Sequence, residues 1–349
     1  MQRQTREAFN TLKHDLAALN GVSDVAEKFD VTPRVQQTLE TRIQESSGFL
    51  KKINMLGVKE QVGDKVGIGV SGTIASTTDT TKGDRQPFNP TDMNSHRYMC
   101  EQTNFDTAIR YPILDAWAGF PDFQTRVRNS ILRRQGLDRI MIGWNGTHRA
   151  PTSNRAANPL LQDVNVGWLE DVRKNAPQQY LFEVKSGSNE IKIGKGITMA
   201  EGFKNLDAVV LDATSSFLQP WYQDDTELVV ICGRELLTDK YFPIVNQDQS
   251  NTEQLAADLI ISQKRIGNLP AIRVPYFPAN AMLICPLYLL SLYWQLGSRR
   301  RTIVDNAKRD QIENYESTND AYVIEDYDGV AFIENLTFVD NNVPGAGGA

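Results

Sequence analysis

The chain has 349 residues, of which 40% are hydrophobic and 23% charged, with a formal net charge of −6. That length gives room for about two domains, the composition is globular rather than disordered, and the acidic balance excludes a protein whose whole surface grips nucleic acid, leaving only local basic patches. Three cysteines, Cys100, Cys232 and Cys285, are odd in number and widely spaced, so they read as buried free thiols in a reducing compartment and not as a disulfide framework or a zinc site.

The N-terminal run MQRQTREAFN lacks the apolar core of a signal peptide. Phe9, Leu12, Leu16 and Leu19 recur at helical spacing and Asn20-Gly21 is a stop signal, which predicts an amphipathic helix over residues 1–21. Its single stripe has little beside it to pack on, so it is expected to bind a partner or to be detachable. After a polar stretch, 22–30, Thr32 as N-cap and Pro33 in the first turn open a second helix with Val35, Leu39 and Ile43 as its apolar stripe. Residues 62–110 change character. Lys65-Val-Gly-Ile-Gly-Val70 and Thr73-Ile-Ala-Ser-Thr-Thr78 lead to a polar turn region and a β-rich run at 97–111. This fits an extended hairpin. Its tip, DTTKGDRQPFNPTD, is too polar to fold alone and needs a neighbouring surface.

The spacing predicts the longest helix over 121–144, opened by Pro121 and ended by Asn145-Gly146. Phe123, Val127, Ile131, Ile140, Met141 and Trp144 mark one face, while Arg126, Arg128, Arg133, Arg134 and Arg139 occupy much of the rest. Gly136 inside it is expected to mark a bend. From about 160 to 300 the pattern is mixed α/β. Helices are predicted at 167–176 and at 206–221, the latter with Leu206, Val209, Val210, Ala213, Phe217 and Leu218 inward. Strands are predicted at 227–232, 271–274 and 281–284, and helical turns at 233–243 and 252–260. Residues 289–296 read equally as strand or helix. The longest apolar stretch, 281–296, is too short to span a bilayer. Residues 311–339 are strand-rich and 341–349 form a tail.

Motifs for chemistry are weak. Gly67-Ile-Gly-Val-Ser-Gly72 has the letters of a dinucleotide-binding turn, but TIASTTDTTKGD follows and no helix starts there to hold a pyrophosphate. Gly194-Lys195-Gly196 lacks the rest of a phosphate loop. His14, His96 and His148 lie in separate segments without ligand spacing. No GxSxG elbow supports a triad. The arginine face reads first as an interface for acidic surfaces of neighbouring subunits, then as a nucleic-acid stripe or a solvated face. Glu313, Glu316, Asp320, Glu325, Asp326 and Asp328 supply an acidic cluster of the kind it would meet. A leading helix and a hairpin with no evident cover suggest a self-assembling structural chain. Two rivals are a nucleotide-dependent enzyme, which a thermal-shift screen would reveal, and a tail or connector protein forming a ring.

Longer strings carry a resemblance. They are Gln44-Glu-Ser-Ser47, Lys65-Val-Gly-Ile-Gly-Val70, Ser76-Thr-Thr-Asp79, Asp122-Phe-Gln124, Asn158-Pro159, Leu161-Gln-Asp-Val164, Val166-Gly-Trp-Leu169, Gln219-Pro-Trp-Tyr-Gln223, Asp239-Lys-Tyr-Phe-Pro-Ile-Val-Asn246, Ile260-Ile-Ser-Gln-Lys-Arg-Ile-Gly-Asn-Leu-Pro270, Arg273-Val-Pro-Tyr-Phe-Pro278 and Glu313-Asn-Tyr-Glu-Ser317. In these the chain resembles, almost end to end, the major capsid proteins of peduovirus-type tailed phages, the family of coliphage P-two. The resemblance implies an α+β fold of the Hong Kong 97 type. Its parts would be an N-terminal prodomain 1–29, an N-arm 30–61, an extended β-hairpin loop 62–108, a peripheral domain 109–150 and 306–340 with a spine helix 121–144, an axial domain 151–305, and the tail 341–349. It implies hexamers and pentamers closing an icosahedral procapsid around double-stranded DNA. It also implies removal of the prodomain by a prohead protease, for which the bond Phe29–Asp30, in the neighbourhood 28–31, is the expected site. The hairpin of one subunit would lie over the spine helix of the next, burying Ile68, Val70 and Ile74, with charges such as Lys82, Arg85, Arg126, Arg133 and Arg134 at the seam. Implied partners are further copies of the chain, a scaffolding protein and prohead protease, a portal protein, and packaged DNA held without sequence specificity. No membrane, cofactor, metal or catalytic residue is implied. The location would be the host cytoplasm during assembly and then the virion.

Overall fold

The computed structural model describes residues 1–65, 75–85, 97–117, 123–237 and 264–339, without the side chains of 117, 123, 124, 126 and 127. Helix α1 spans Arg3–Asn20 and stops at Gly21, whose left-handed φ of 66° lets its N–H turn back to the carbonyls of Ala17 and Ala18. Strand β1 is Phe29–Asp30 and helix α2 is Pro33–Glu45. Thr32 does stand at the N-cap of α2, but its hydroxyl makes no capping bond; Pro33 in the first turn is the start signal that operates.

Strands β2 (Asn54–Val58), β3 (Val62–Asp64), β4 (Arg97–Met99), β5 (Glu101–Asn104) and β6 (Thr107–Arg110) come next. They are followed by helices α3 (Tyr111–Trp117), α4 (Phe123–Asn145) and α5 (Trp168–Asn175). Strands β7 (Tyr180–Leu181), β8 (Ile191–Ile193) and β9 (Gly202–Phe203) lead into α6 (Leu206–Phe217), α7 (Pro220–Gln223) and β10 (Leu228–Cys232). The remaining strands are β11 (Arg265–Ile266), β12 (Leu269–Ile272), β13 (Met282–Pro286), β14 (Leu290–Gln295), β15 (Arg300–Asn306), β16 (Gln311–Ile324), β17 (Ala331–Ile333) and β18 (Leu336–Phe338). No helix among the described residues is long and apolar enough to cross a membrane.

One sheet is ordered β1-β15-β16-β14-β2, with β5 and β6 also pairing β16. The long strand β16 meets β15 along 311–317 and β14 along 320–324, both antiparallel. Between those stretches the register slips at 296–299, where Gly297 takes a φ of 73°. The undecided segment 289–296 is thus a strand, and the run 97–111 is three strands, two of them paired to β16 rather than to the hairpin. A second sheet, β11-β12-β10-β13-β17-β7, carries a core with α6 against it, formed by Val209, Val210, Val230, Ile284 and Ile333 among others. The predicted helix 206–221 is broken in two. Residue 219 is extended, at φ −65° and ψ 149°, because the ring of Pro220 disfavours helical geometry in the residue before it. Segments 238–263 and the GxGxxG run fall outside the described residues.

Helix α4 runs through Gly136 as one element. The glycine is closely packed: a Cβ at Gly136 would lie 3.0 Å from Ser46 Oγ and 3.3 Å from Leu50 Cδ1. Two turns further, Gly143 lets the Trp168 ring of α5 come close against the helix backbone. The Trp144 and Trp168 rings are 4.8 Å apart, and Phe49, Phe277 and Tyr322 close around them. The Trp168 indole donates to the Ser291 carbonyl at 2.9 Å. This aromatic knot joins α4 and α5 to β14 and β16.

The leading helix corrects the sequence reading. It is not without a home on its own chain. Phe9 is buried with Val25, Phe29, Val31 and Ile303, and Leu16, Val35, Leu39 and Ile312 pack around them. Leu19, assigned to the apolar stripe, is instead 64% exposed. The cover comes from β15 and β16, some three hundred residues away in sequence, which no local periodicity reports.

The packing at Gly143 gives a test. An added Cβ would sit 2.3 Å from Trp168 Cζ3, so Gly143→Ala is expected to cost about 1–3 kcal/mol of subunit stability. At Gly48 a Cβ would meet nothing within 4 Å, so Gly48→Ala should stay within about 0.5 kcal/mol. Urea unfolding of both variants measures the difference.

Candidate functional site

Buried charge lies where α2, α4, β16 and the slip at 296–299 converge. Arg139, Arg299, Glu40, Glu316 and Asp320 are all almost completely buried. The Arg139 guanidinium forks onto Asp320, donating from Nε at 2.9 Å and from Nη2 at 3.0 Å, and also donates to both oxygens of Glu40. Arg299 donates to Glu40 at 2.7 Å and to Glu316 at 2.6 Å, and Gln135 bridges Arg299 to Glu316. Burial works against the Glu40 and Glu316 charges, but Arg139 and Arg299 beside Glu40, and Arg299 and Arg301 beside Glu316, outweigh it and hold both carboxyls below their usual range. At Asp320 burial wins: with Glu40 adding to it against Arg139, the carboxyl is pushed up.

This network corrects two expectations. Arg139 is no part of an outward arginine face. Glu316 and Asp320 do not await a neighbour either; they are consumed inside the subunit. Glu325 and Asp326 are likewise engaged, accepting from the Tyr293 and Tyr222 hydroxyls at 2.8 Å each. The missed residues carried one legible signal. Leu132, Gln135, Arg139 and Ile142 fall three to four apart and are all buried, so Arg139 shares the helix face that points into the core.

The outward positions are Arg133 and Arg134, both exposed on α4. Arg134 meets Asp138 at 2.5 Å and the Tyr276 hydroxyl at 3.4 Å. Arg134 borders a cleft of about 730 Å³ between α4, β5–β6 and residues 149–164, lined by Phe105, Asp138, Arg149, Arg155 and Asp163 among others. Burial, opposed by Arg134, pushes the Asp138 carboxyl up. The backbone of residue 126 belongs to α4, but the side chain of Arg126 lies outside the described residues, as do Ile68, Val70 and Ile74. Lys82 and Arg85 lie in the segment 75–85, every residue of which is exposed; Lys82 Nζ is 3.3 Å from Asp79. The structure therefore does not bring Lys82 and Arg85 onto the arginines of α4 within one chain.

At the hairpin root β3 and β4 pair antiparallel, placing Val62 opposite Met99. Both are about half exposed, at 49% and 53%. Lys65 pins this root to the central sheet: its ammonium donates to the Ile324 carbonyl at 2.7 Å and lies 3.8 Å from the centre of the Tyr327 ring. Burial pushes the Lys65 pKa down to about 8, against the pull of Asp171, Glu325 and Asp326. Phe29 and Asp30 form β1, the edge strand of the first sheet; Phe29 is buried and Asp30 exposed. Cys100, Cys232 and Cys285 are buried and form no disulfide, and burial pushes the Cys100 thiol up to about 12. No group of three or more His, Cys, Asp or Glu residues arranged to hold a metal ion occurs among the described residues.

A family model described as "Phage major capsid protein, P2 family" matches residues 8–336. A relative called "Capsid proteins", from Escherichia phage P2, is 52% identical over 352 residues, covering 99% of this chain and 98% of its own length. The "Major capsid protein" of Serratia phage KSP20 is 44% identical and covers 97% and 98%. Among solved structures, a chain of the satellite phage P4 procapsid including size determination (Sid) protein is 50% identical. It covers 97% of this chain and 99% of its own, with a TM-score of 0.81.

Two stability measurements separate the inner from the outer arginines. Arg139→Leu leaves Asp320 and Glu40 without their shared cation and is expected to cost about 3–5 kcal/mol. Arg133→Glu should stay within about 0.5 kcal/mol. The pH dependence follows in sign. Glu40 and Glu316 have folded pKa values below 4.5, so their contribution is full above that pH and is lost as pH falls through the folded values. Asp320, raised above 3.8, opposes them in part. Unfolding free energy measured between about pH 6 and pH 3 should fall less steeply in Glu40→Gln than in the parent chain.

Proposed function

The chain belongs to the P2 family of phage major capsid proteins and has the α+β, Hong Kong 97-type capsid fold, and from that premise we propose that its subunits form hexamers and pentamers of a closed icosahedral shell around double-stranded DNA. It is a structural component of the virion. The observation that supports the shell-building reading best is the hairpin. Its root is paired and pinned by Lys65, its apolar cross-strand pair Val62 and Met99 is half exposed, and residues 75–85 lie wholly in solvent. Among the described residues, Val62, Met99 and 75–85 are left exposed by their own chain, and a second copy would supply the surface that buries them.

In this reading the hairpin of one subunit lies over α4 of the next. Ile68, Val70 and Ile74 add apolar contact, while Lys82 and Arg85 on the hairpin and Arg126, Arg133 and Arg134 on α4 set orientation more than affinity. Residues 30–61 act as the N-arm and 62–108 as the extended loop. The peripheral domain centres on α4 and the sheet around β16, and the axial domain on α6 and the second sheet. Segment 1–29 is removed by a prohead protease near Phe29–Asp30. A scaffolding protein and a portal complete the assembly, and DNA is contained without sequence readout, as an acidic subunit suits.

Deleting 82–89 should leave a soluble, folded subunit that forms no closed shells by electron microscopy. Normal shells from that variant would remove the hairpin from the mechanism, and rings or tubes from the parent chain would replace the shell itself. Arg133→Glu with Arg134→Glu should impair assembly while changing subunit stability by no more than about 1 kcal/mol. Unfolding of that double variant would assign the two arginines to the fold.

A further inference from the structure

Helix α1 is fastened to its own subunit at two polar points and one apolar one. Asp115 of α3 accepts from the Gln2 backbone N–H at 2.8 Å and from the Thr5 hydroxyl at 2.6 Å. Asp305 of β15 accepts from the Arg6 guanidinium of α1 and from the Tyr111 hydroxyl of α3. One turn on, Phe9 sinks among Val25, Phe29, Val31 and Ile303. The Thr5 hydroxyl and the Gln2 N–H hold the Asp115 carboxyl below its usual range. At Asp305 partial burial is outweighed by Tyr111 and Arg6, with the same result. Helix α3 is therefore gripped between α1 and β15, and it lies immediately ahead of α4, which begins at Phe123.

We infer that α1 is a clasp seated on an interaction surface made by α3, β15 and β16, that it holds the entry to α4 against the central sheet, and that scission within 28–31 releases it. The release step rests on the processing proposed above; the clasp does not. Residues on both sides of the scission region are tied to the same sheet: Val31 N–H donates to the Arg299 carbonyl and Ile303 N–H to the Val25 carbonyl, both at 2.9 Å. While the chain is continuous this tether keeps α1 beside its surface at an effective concentration on the order of millimolar, so individually weak contacts hold it closed. Once the chain is cut, α1 competes with dilution and cannot rebind at the concentration of a free peptide. Asp115 and Asp305 then lose their α1 donors, Ile303 and Ile312 lose their cover, and α3 is free to repack. Scission thereby becomes a one-way change in how α4 is held.

Hydrogen exchange on the full chain tests the clasp. In Thr5→Val with Arg6→Ala, the amides of Tyr111–Trp117 should exchange about tenfold faster, while β10 and β13 in the second sheet keep parental rates. Leu19→Ala, on the exposed side of α1, should leave 111–117 unchanged. Unaltered exchange at 111–117 in the double variant overturns the clasp. If that variant loosens β10 and β13 as well, Thr5→Val alone is read under the same two outcomes. None of these substitutions touches 28–31, so a chain that is never cut still answers, and mass mapping of the N-terminus in mature particles judges the processing separately.

Discussion

The structure depends on burying Arg139 and Arg299 together with Glu40, Glu316 and Asp320. Moving an ion into a protein interior costs several kcal/mol even after relaxation, so each of these groups is tolerable only with its partners in place. Every partner comes from a different part of the chain: α2, α4, the slip before β15, and two positions on β16. The network therefore acts as an alignment device. A one-residue shift of β16 would turn Glu316 and Asp320 to the opposite face and leave the two guanidiniums to share the single carboxylate of Glu40. The register slip at 296–299, which looks like a defect of the hairpin formed by β14, β15 and β16, is what sets Arg299 among its acceptors.

Fixing α4 in this way has consequences outside the core. Arg139 faces inward with Leu132 and Ile142, so Arg133 and Arg134 are committed to the outer surface by the same helical geometry. The aromatic knot at Gly143 and Trp168 locks the C-terminal half of the helix. Helix α3, which precedes it in the chain, bonds to β15 through Tyr111 and to the N-terminal segment through Asp115.

Much of the architecture was legible because it is written in local periodicity. The stripes of α1 and α2, the length of α4, the buried strand at 228–232 and the strand-rich C-terminus all follow from spacing. What local spacing cannot report is the partner. Phe9 and Leu16 looked unsupported because their cover, Ile303 and Ile312, lies at the other end of the chain. Gly136 was read as a bend, yet it is a contact point, as Gly143 is, since a missing Cβ serves close packing as readily as bending. Arg139 was grouped with its exposed neighbours by residue type, although its helical phase with Leu132 and Ile142 already set it apart. Composition tempted, and periodicity was the better guide.

The fate of the acidic cluster alters how the outer arginines must be satisfied. Glu316 and Asp320 are spent in the core, Glu325 and Asp326 accept from tyrosines, and Glu313 accepts from Tyr315, Gln311 and Asn306. The C-terminal carboxylates therefore serve their own subunit first. In the proposed contact the complement to Arg133 is presented by 75–85, which is exposed throughout and carries Asp79 and Asp84 beside Lys82 and Arg85. A tip of mixed charge brings attraction and repulsion together, so only one register against a row of arginines is favourable. That is the form of contact a shell requires, in which each bond must be weak enough to correct and selective enough to repeat.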